Sequence, residues 1–89
     1  MHRETKAVLR ALGARIGELR TAAGMTQEQA AERVGMLTPN YARIEQGRAN
    51  ATVDTLVRIA KVFDVAVLEL FRTPKSPLRK RPGRPARSE

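Results

Sequence analysis

The stretch between Thr26 and Gly47 reads TQEQAAERVGMLTPNYARIEQG and limits the possible folds of this chain more than any other feature. Its first part has helix-forming residues up to Val34. Gly35 then interrupts the helical pattern, which resumes at about Pro39. Glycine has no β-carbon and suits the left-handed conformation that ends a helix. The stretch therefore predicts two short helices separated by a tight turn.

Capping signals mark where these two helices begin. Thr26 and Gln29 have the spacing of a capping box, so one helix is predicted over residues 27–34. The next helix is predicted over about residues 38–46, because Thr38 offers a hydroxyl cap and Pro39 fits the first turn.

Helical spacing also predicts one longer helix before this stretch and two helices after it. The first runs from about Glu4 to Ala23, and its predicted apolar face comprises Val8, Leu12, Ile16, Leu19 and Ala23. Thr52 can cap the fourth, with an apolar face of Val53, Leu56, Val57, Ala60 and Phe63. The fifth is short, and its apolar residues are Val67, Leu68, Leu70 and Phe71, which we expect either to pack on the first helix or, in part, to form a subunit interface; the two are compatible. No segment alternates with the period of a strand, so we expect an all-α fold.

Composition excludes several classes of protein. The chain has 89 residues, which fits one domain, and it contains no Cys. His2 is the only His, so we expect no metal site and no cofactor. The sequence also lacks a nucleophile–base set and the glycine-rich motifs that bind phosphates, so we predict that it is not an enzyme. No apolar run approaches the roughly 18 residues of a membrane span, which indicates a soluble intracellular protein.

Positive charge is concentrated at the carboxyl end. Residues 1–71 contain ten Lys and Arg against eight Asp and Glu, a net charge of +2, whereas residues 72–89 carry +6. Four of the five prolines also lie in 72–89, which has few apolar residues to bury. We therefore predict a folded domain over residues 4–71 and a disordered basic tail over 72–89 that attracts polyanions.

A helix, a tight turn containing glycine and a second helix form a helix-turn-helix. Such a turn holds the second helix away from the body, and the DNA major groove, about 12 Å wide, admits one α-helix. Small or apolar side chains stand where the two helices should meet the core: Ala30, Ala31, Val34, Met36, Tyr41 and Ile44. The arrangement predicts DNA binding.

From about Arg10 to Phe71 the chain resembles the Cro/repressor-type (XRE-type) helix-turn-helix family, which has the five-helix lambda-repressor-like fold. The residues that carry the resemblance are Thr26-Gln27-Glu28, Ala31, Gly35, Ile44-Glu45, Gly47, Asn50, Thr55-Leu56 and Ile59-Ala60-Lys61. Leu37 stands where this family usually has a polar cap. The third helix is therefore predicted to begin one residue late, with Thr38 as its cap.

The resemblance implies contacts with the bases, and the corresponding residues are Thr38, Pro39, Asn40 and Arg43. Arg43 suits guanine, because arginine can bond both of its major-groove acceptors. Pro39 has no N–H and offers only apolar contact, for instance to a thymine methyl. Asn40 is expected to contact an adenine or a phosphate, or to stabilise the start of the helix. The alternative for Arg43 is that it is an ordinary solvated arginine on the surface.

The resemblance also implies backbone contacts and one structural pair. Arg48 and Asn50 match positions that contact the sugar-phosphate backbone, with ordinary loop charge as the alternative for Arg48. Gln27 is expected to contact a phosphate or to brace the third helix. Arg20 and Glu45 are expected to form a buried ion pair between the first and third helices.

The tail sequence RKRPGRPAR, residues 79–87, resembles an AT-hook. The matching core is Gly83-Arg84-Pro85, with Arg81 beside it, and Pro82 departs from the usual pattern. Such a segment suits a narrow A·T-rich minor groove. Nonspecific phosphate contact and no role in DNA binding are the alternatives.

Taken together, these features predict a DNA-binding transcriptional regulator of the cytoplasm, associated with the nucleoid. We expect a homodimer, because one helix reads only a few base pairs, with the apolar fifth helix as the candidate interface. The alternative is an antitoxin-like or other partner-binding module that also binds DNA. RNA binding is less favoured because the tail has no aromatic residues to stack on bases.

Overall fold

The computed structural model describes residues 2–75, which form four α-helices and one 3₁₀ helix without any strand. The helices are α1 (Arg3–Ala22), α2 (Gln27–Val34), α3 (Thr38–Glu45) and α4 (Val53–Val62), followed by the 3₁₀ helix (Val67–Phe71). The predicted all-α fold is confirmed. Residues 76–89 of the predicted tail, including Arg81, Gly83, Arg84 and Pro85, lie outside the described residues. No helix in the described part is long and apolar enough to cross a membrane.

The two ends of α2 have the predicted form. The Thr26 hydroxyl accepts a hydrogen bond from the Gln29 N–H (3.1 Å), and the Gln29 side chain accepts one from the Thr26 N–H (2.9 Å). Gly35 ends α2 with a φ of 90°, in the left-handed region that glycine tolerates best. The predicted capping box and helix stop are both present.

The predicted start of α3 is wrong by one residue. The Tyr41 N–H donates to the Leu37 carbonyl at 3.0 Å, so helical hydrogen bonding begins at Leu37 and includes Thr38. Leu37 occupies the cap position, and no side chain there caps the helix. The Thr38 hydroxyl is therefore not the predicted cap.

The five helices pack against one another around one apolar core. α1 packs against α3 and the 3₁₀ helix, α2 against α3 and α4, and α4 against the 3₁₀ helix. The buried apolar side chains are those of Leu9, Leu12, Ile16, Ala30, Ala31, Val34, Tyr41, Ile44, Leu56, Ile59, Ala60 and Leu70.

Two predicted apolar faces need correction. In α1, Leu9 is buried and Val8 is 52% exposed, because the face centred on Leu12 and Ile16 continues to Leu9. Ala23 lies beyond the end of α1 and is exposed. In α4 the buried residues are Leu56, Ile59 and Ala60, whereas Val53, the first residue of the helix, and Val57 are exposed.

The fifth helix is a single short 3₁₀ segment that belongs mainly to the core. Leu70 is fully buried, so it is not available to another molecule in this fold, and Val67 is partly buried against the core. Leu68 and Phe71 are the exposed apolar residues of this element. Of the four residues predicted for a subunit interface, Leu68 and Phe71 are thus the exposed ones, and the interface itself stays a prediction.

Candidate nucleic-acid interface

α3 has one face in the core and one in solvent. Tyr41 and Ile44, three residues apart, are buried. Pro39, Asn40 and Arg43 are exposed, and Thr38 is partly exposed. The four residues expected to contact bases therefore all reach the surface of the described part.

A concave groove lies between α3 and the chain that follows it. Asn40 and Arg43 line it from α3, and Arg48 and Asn50 line it from the loop before α4. Thr38, Pro39 and Gln27 do not line this groove. Four polar side chains from two segments thus face a common space.

The cations of the groove have no acidic partner among residues 2–75. Arg48 donates to the Gln46 side chain at 3.4 Å, and Arg43 makes no ion pair. In contrast, Arg15, Arg58 and Arg72 all pair with carboxylates elsewhere on the surface. The groove therefore presents uncompensated positive charge, which suits a phosphate or a guanine edge.

The Glu45 carboxylate joins three segments at the carboxyl end of α3. Arg20 of α1 donates to both of its oxygens, at 2.7 and 3.1 Å, and the Gln27 side chain of α2 donates to it at 3.0 Å. Arg20 also donates to the Met25 carbonyl at 2.9 Å. The Glu45 side chain is only 9% exposed, so these bonds are well shielded from water. Gln27 thus braces α3 in this structure.

The pKa values of Tyr41 and Glu45 each depend on the other residue. Burial alone would raise the pKa of Glu45, but the hydrogen bonds, led by that from Arg20, hold this pKa below its usual value. Burial, followed by the neighbouring Glu45 carboxylate, raises the pKa of Tyr41 well above its usual value. The Tyr41 hydroxyl is buried beside this pair but makes no hydrogen bond of ordinary geometry within the described residues.

Two glycines of α1 set how closely α3 approaches, and sequence analysis missed them. A β-carbon on Gly13 would lie 2.5 Å from the Glu45 carbonyl oxygen, and one on Gly17 would lie 3.3 Å from Glu45 Oε1. A glycine within a helix costs about 1 kcal/mol relative to alanine. Two of them four residues apart, on one side of a 20-residue helix, were the signal for close packing.

No group of three or more His, Cys, Asp or Glu residues that could hold a metal occurs within residues 2–75. What the described surface offers instead is a short exposed helix, a polar groove and free cations.

Comparison with known proteins shows the family to which these features belong. The family described as "Helix-turn-helix domain" matches residues 11–71. The HTH-type transcriptional regulator PuuR of Escherichia coli is 33% identical over 65 residues, which cover 73% of this chain and 35% of PuuR. The chain thus spans about a third of that relative's length. An uncharacterized HTH-type transcriptional regulator of Archaeoglobus fulgidus is 37% identical over 57 residues, which cover 64% of this chain and 81% of that protein.

Solved structures have the same fold. The restriction-modification controller protein C.AhdI of Aeromonas hydrophila matches with a TM-score of 0.71 and 34% identity, over 73% of this chain and 98% of that one. The hypothetical transcription factor NHTF from Neisseria matches with a TM-score of 0.70 and 25% identity, over 79% and 82% of the two chains. Because the family match includes α2, α3, α4 and the whole groove, the chain belongs to the helix-turn-helix domain family, which is a DNA-binding domain type of transcription regulators and not an enzyme family.

Proposed function

We propose that this protein is a sequence-specific transcriptional regulator that places α3 in the DNA major groove and acts as a homodimer. The observation that carries the proposal is the groove in which Asn40 and Arg43 of α3 meet Arg48 and Asn50 of the following loop. A helix that enters the major groove needs base-reading side chains beside backbone-binding ones, and this groove contains both types.

Within this proposal, Arg43 binds a guanine edge and Asn40 an adenine edge or a phosphate. Thr38 and Pro39 lie outside the groove lining and contact bases from the amino end of α3, Pro39 through apolar contact. Arg48 and Asn50 bind the sugar-phosphate backbone and fix the register of α3.

Gln27 and the Arg20–Glu45 pair act through α3. Since the Gln27 side chain donates to Glu45, we assign it the bracing role; its second side-chain N–H and its backbone N–H at the start of α2 are left to meet a phosphate. Arg20 and Glu45 hold the carboxyl end of α3 against α1.

A homodimer gives such a small domain its specificity, because two copies of α3 read two half-sites. Leu68 and Phe71 support this part of the proposal, since they are the exposed apolar residues of the 3₁₀ helix. Residues 4–71 act as the folded domain in this proposal. Residues 72–89 act as a basic extension, in which Arg81, Gly83, Arg84 and Pro85 contact the minor groove or phosphates.

The test is selection from random duplex DNA with the full-length protein and with a chain that ends at Thr73. Enrichment of the same inverted repeat by both supports reading by α3 in a dimer. An A·T-rich flank enriched only by the full-length protein supports minor-groove contact by the tail. If neither protein enriches any sequence, the proposal is wrong and a partner-dependent role takes its place.

Salt dependence isolates the contribution of the tail. The logarithm of the binding constant falls by about 0.9 per phosphate contact for each tenfold rise in salt. Removal of the tail should reduce this slope if its cations bind phosphates. An unchanged slope would mean that the tail does not bind DNA.

A further inference from the structure

Three cations on α1 form a line that continues onto the face packed against α3. Arg3, Lys6 and Arg10 are followed by Gly13 and Gly17, with steps of three, four, three and four residues. Residues three and four apart lie on one side of a helix, so all five share that side. We call Arg3, Lys6 and Arg10 the α1 cationic stripe.

Packing fixes where this stripe lies. Gly13 and Gly17 face the carboxyl end of α3, as their close approach to Glu45 shows. One step nearer the start of α1, the Arg10 Cα lies 2.8 Å from where a β-carbon on Gly47 would stand. Gly47 immediately precedes Arg48 of the groove. The stripe therefore begins beside the loop that lines the groove and extends away from it along α1.

The stripe is exposed and lacks ion pairs. None of its three side chains contacts a carboxylate within residues 2–75, whereas Arg15, on another side of α1, pairs with Glu18 and Glu69. The surface is thus a continuous run of uncompensated positive charge.

Two of these cations are also unfavourable for the helix itself. Arg3 is the first residue of α1 and Lys6 follows within one turn. The amino end of a helix carries partial positive charge, so a cation there is unfavourable for the helix. Folding alone gives no reason for this placement, whereas binding to a polyanion does.

We propose that the α1 cationic stripe binds DNA phosphates beyond the segment contacted from the groove. The inference rests on the proposed function and adds a second backbone-binding surface to it. Arg3 precedes Gly13 by ten residues, which is about 15 Å along the helix axis and equals the rise of roughly four base pairs along the DNA axis. The stripe thus extends the basic surface that starts at Arg48.

The test compares two full-length variants that lose the same charge. Lys6→Gln/Arg10→Gln removes two cations of the stripe, and Arg33→Gln/Lys61→Gln removes two exposed cations of α2 and α4 that do not line the groove. Glutamine keeps a high helix propensity, so both variants should fold. Binding to duplexes enriched by the wild type is measured between 50 and 200 mM salt, and thermal unfolding is followed by circular dichroism.

We expect the stripe variant to lower the salt slope by about 1.8, which means roughly tenfold less loss of affinity across that salt range. The control variant should keep the wild-type slope, and the stripe variant should unfold at the wild-type temperature or slightly above it. An unchanged slope in a stripe variant that still binds the selected sequence would overturn this inference alone. Equal reductions in both variants would also overturn it, because they would reflect net charge only. If the wild type enriches no sequence, the proposed function fails, and a stripe-specific slope change on random duplex would still support the stripe.

Discussion

The two ends of α3 differ in how the rest of the protein holds them. At the carboxyl end, Glu45 receives hydrogen bonds from α1 and α2, and Gly13 lets the α1 backbone come close. At the amino end, within the described residues, no side chain caps the helix, although side chains cap α1, α2 and α4. Leu37, at this cap position, is 71% exposed.

This difference teaches how a small domain can present a helix to a ligand. A helix of eight residues is too short to be stable alone, so tertiary contacts must hold it. Here those contacts gather at one end and on the face of Tyr41 and Ile44. The amino end and the face of Asn40 and Arg43 are left accessible for the proposed contacts with DNA.

The largest expected effect comes from Arg20→Ala. This change leaves the shielded Glu45 carboxylate with Gln27 as its remaining side-chain donor, so the free energy of unfolding should fall by about 3 kcal/mol. We place it at the low end of the range for buried pairs because the Arg20 side chain is 20% exposed. Urea unfolding measures it. Arg33→Ala, which removes an exposed charge, should change stability by less than about 0.5 kcal/mol; equal losses in the two variants would refute the anchoring role of Arg20.

Gly13→Ala tests the close approach of α1 to α3. The added methyl group meets backbone atoms of Ile44 and Glu45, which cannot rotate away, so we expect a loss of about 2 kcal/mol. Gly17→Ala is the matched comparison, because its methyl meets only the Glu45 side chain and gains about 1 kcal/mol of helix propensity. Thermal unfolding of both should rank Gly13→Ala clearly below Gly17→Ala. The reverse order would mean that the packing described here is wrong.

Leu37→Ser should stabilise the free end of α3. A serine at the cap position accepts a hydrogen bond from a backbone N–H in the first turn, worth about 1 kcal/mol. Leu37→Ala removes the same exposed side chain without adding an acceptor and should give no such gain. Melting temperatures of the two variants provide the measurement. If serine and alanine behave alike, the amino end of α3 is already satisfied in some other way.

Tyr41→Phe should change the free energy of unfolding least of these variants at neutral pH and more at alkaline pH. Its hydroxyl makes no ordinary hydrogen bond, so removing it should change stability by less than about 1 kcal/mol at pH 7. Since burial raises the pKa of Tyr41 in the folded state, the unfolded state loses its phenol proton first, near pH 10. Wild-type stability should therefore fall as pH rises above about 10, and Tyr41→Phe should lack this part of the loss.

The alkaline measurement is unusually direct, because Tyr41 is the only tyrosine and the chain has no tryptophan. Tyrosinate absorbance reports this one residue, and it should appear together with unfolding. Tyrosinate formed in a protein that remains folded would show that the hydroxyl is not held as described.

At low pH the stability of the protein should depend on pH in the opposite direction. The pKa of Glu45 is lowered in the folded state, so its contribution is present above its unfolded pKa of about 4.5 and is lost as pH falls through the lower folded value. Arg20→Ala should reduce this acid sensitivity. Urea unfolding at a series of acidic pH values checks it, and an unchanged slope of stability against pH would contradict the coupling.

Much of the fold followed from local signals in the sequence. The Thr26 capping box starts α2 and Gly35 ends it before the α2–α3 turn, through hydrogen bonds between near neighbours that sequence spacing reveals. Helical spacing alone does not decide which apolar residues of each helix are buried in the core. Val8 and Leu9 are both apolar, and only packing against the other helices decides which of them is buried.

The residues of the candidate site were predicted from the sequence, but their arrangement around one groove was not. Asn40, Arg43, Arg48 and Asn50 were identified through resemblance, whereas their grouping around one groove required the fold of the loop before α4. The Thr38 hydroxyl predicts a cap at that residue, but Leu37 occupies the cap position and α3 begins at Thr38. Gly13 was overlooked because its partner is a backbone carbonyl more than 30 residues away in sequence.

The central claim, that the exposed face of α3 reads DNA, is tested most directly by comparing the sequences enriched from random duplex DNA by wild type, Arg43→Ala and Lys61→Ala. We expect Lys61→Ala to enrich the wild-type sequence, since Lys61 lies on α4 outside the groove. Arg43→Ala should lose the preference at one position of each half-site and bind the wild-type sequence more weakly by about 1–3 kcal/mol. Enrichment of the same sequence, with the same preference at every position, by Arg43→Ala would contradict the claim.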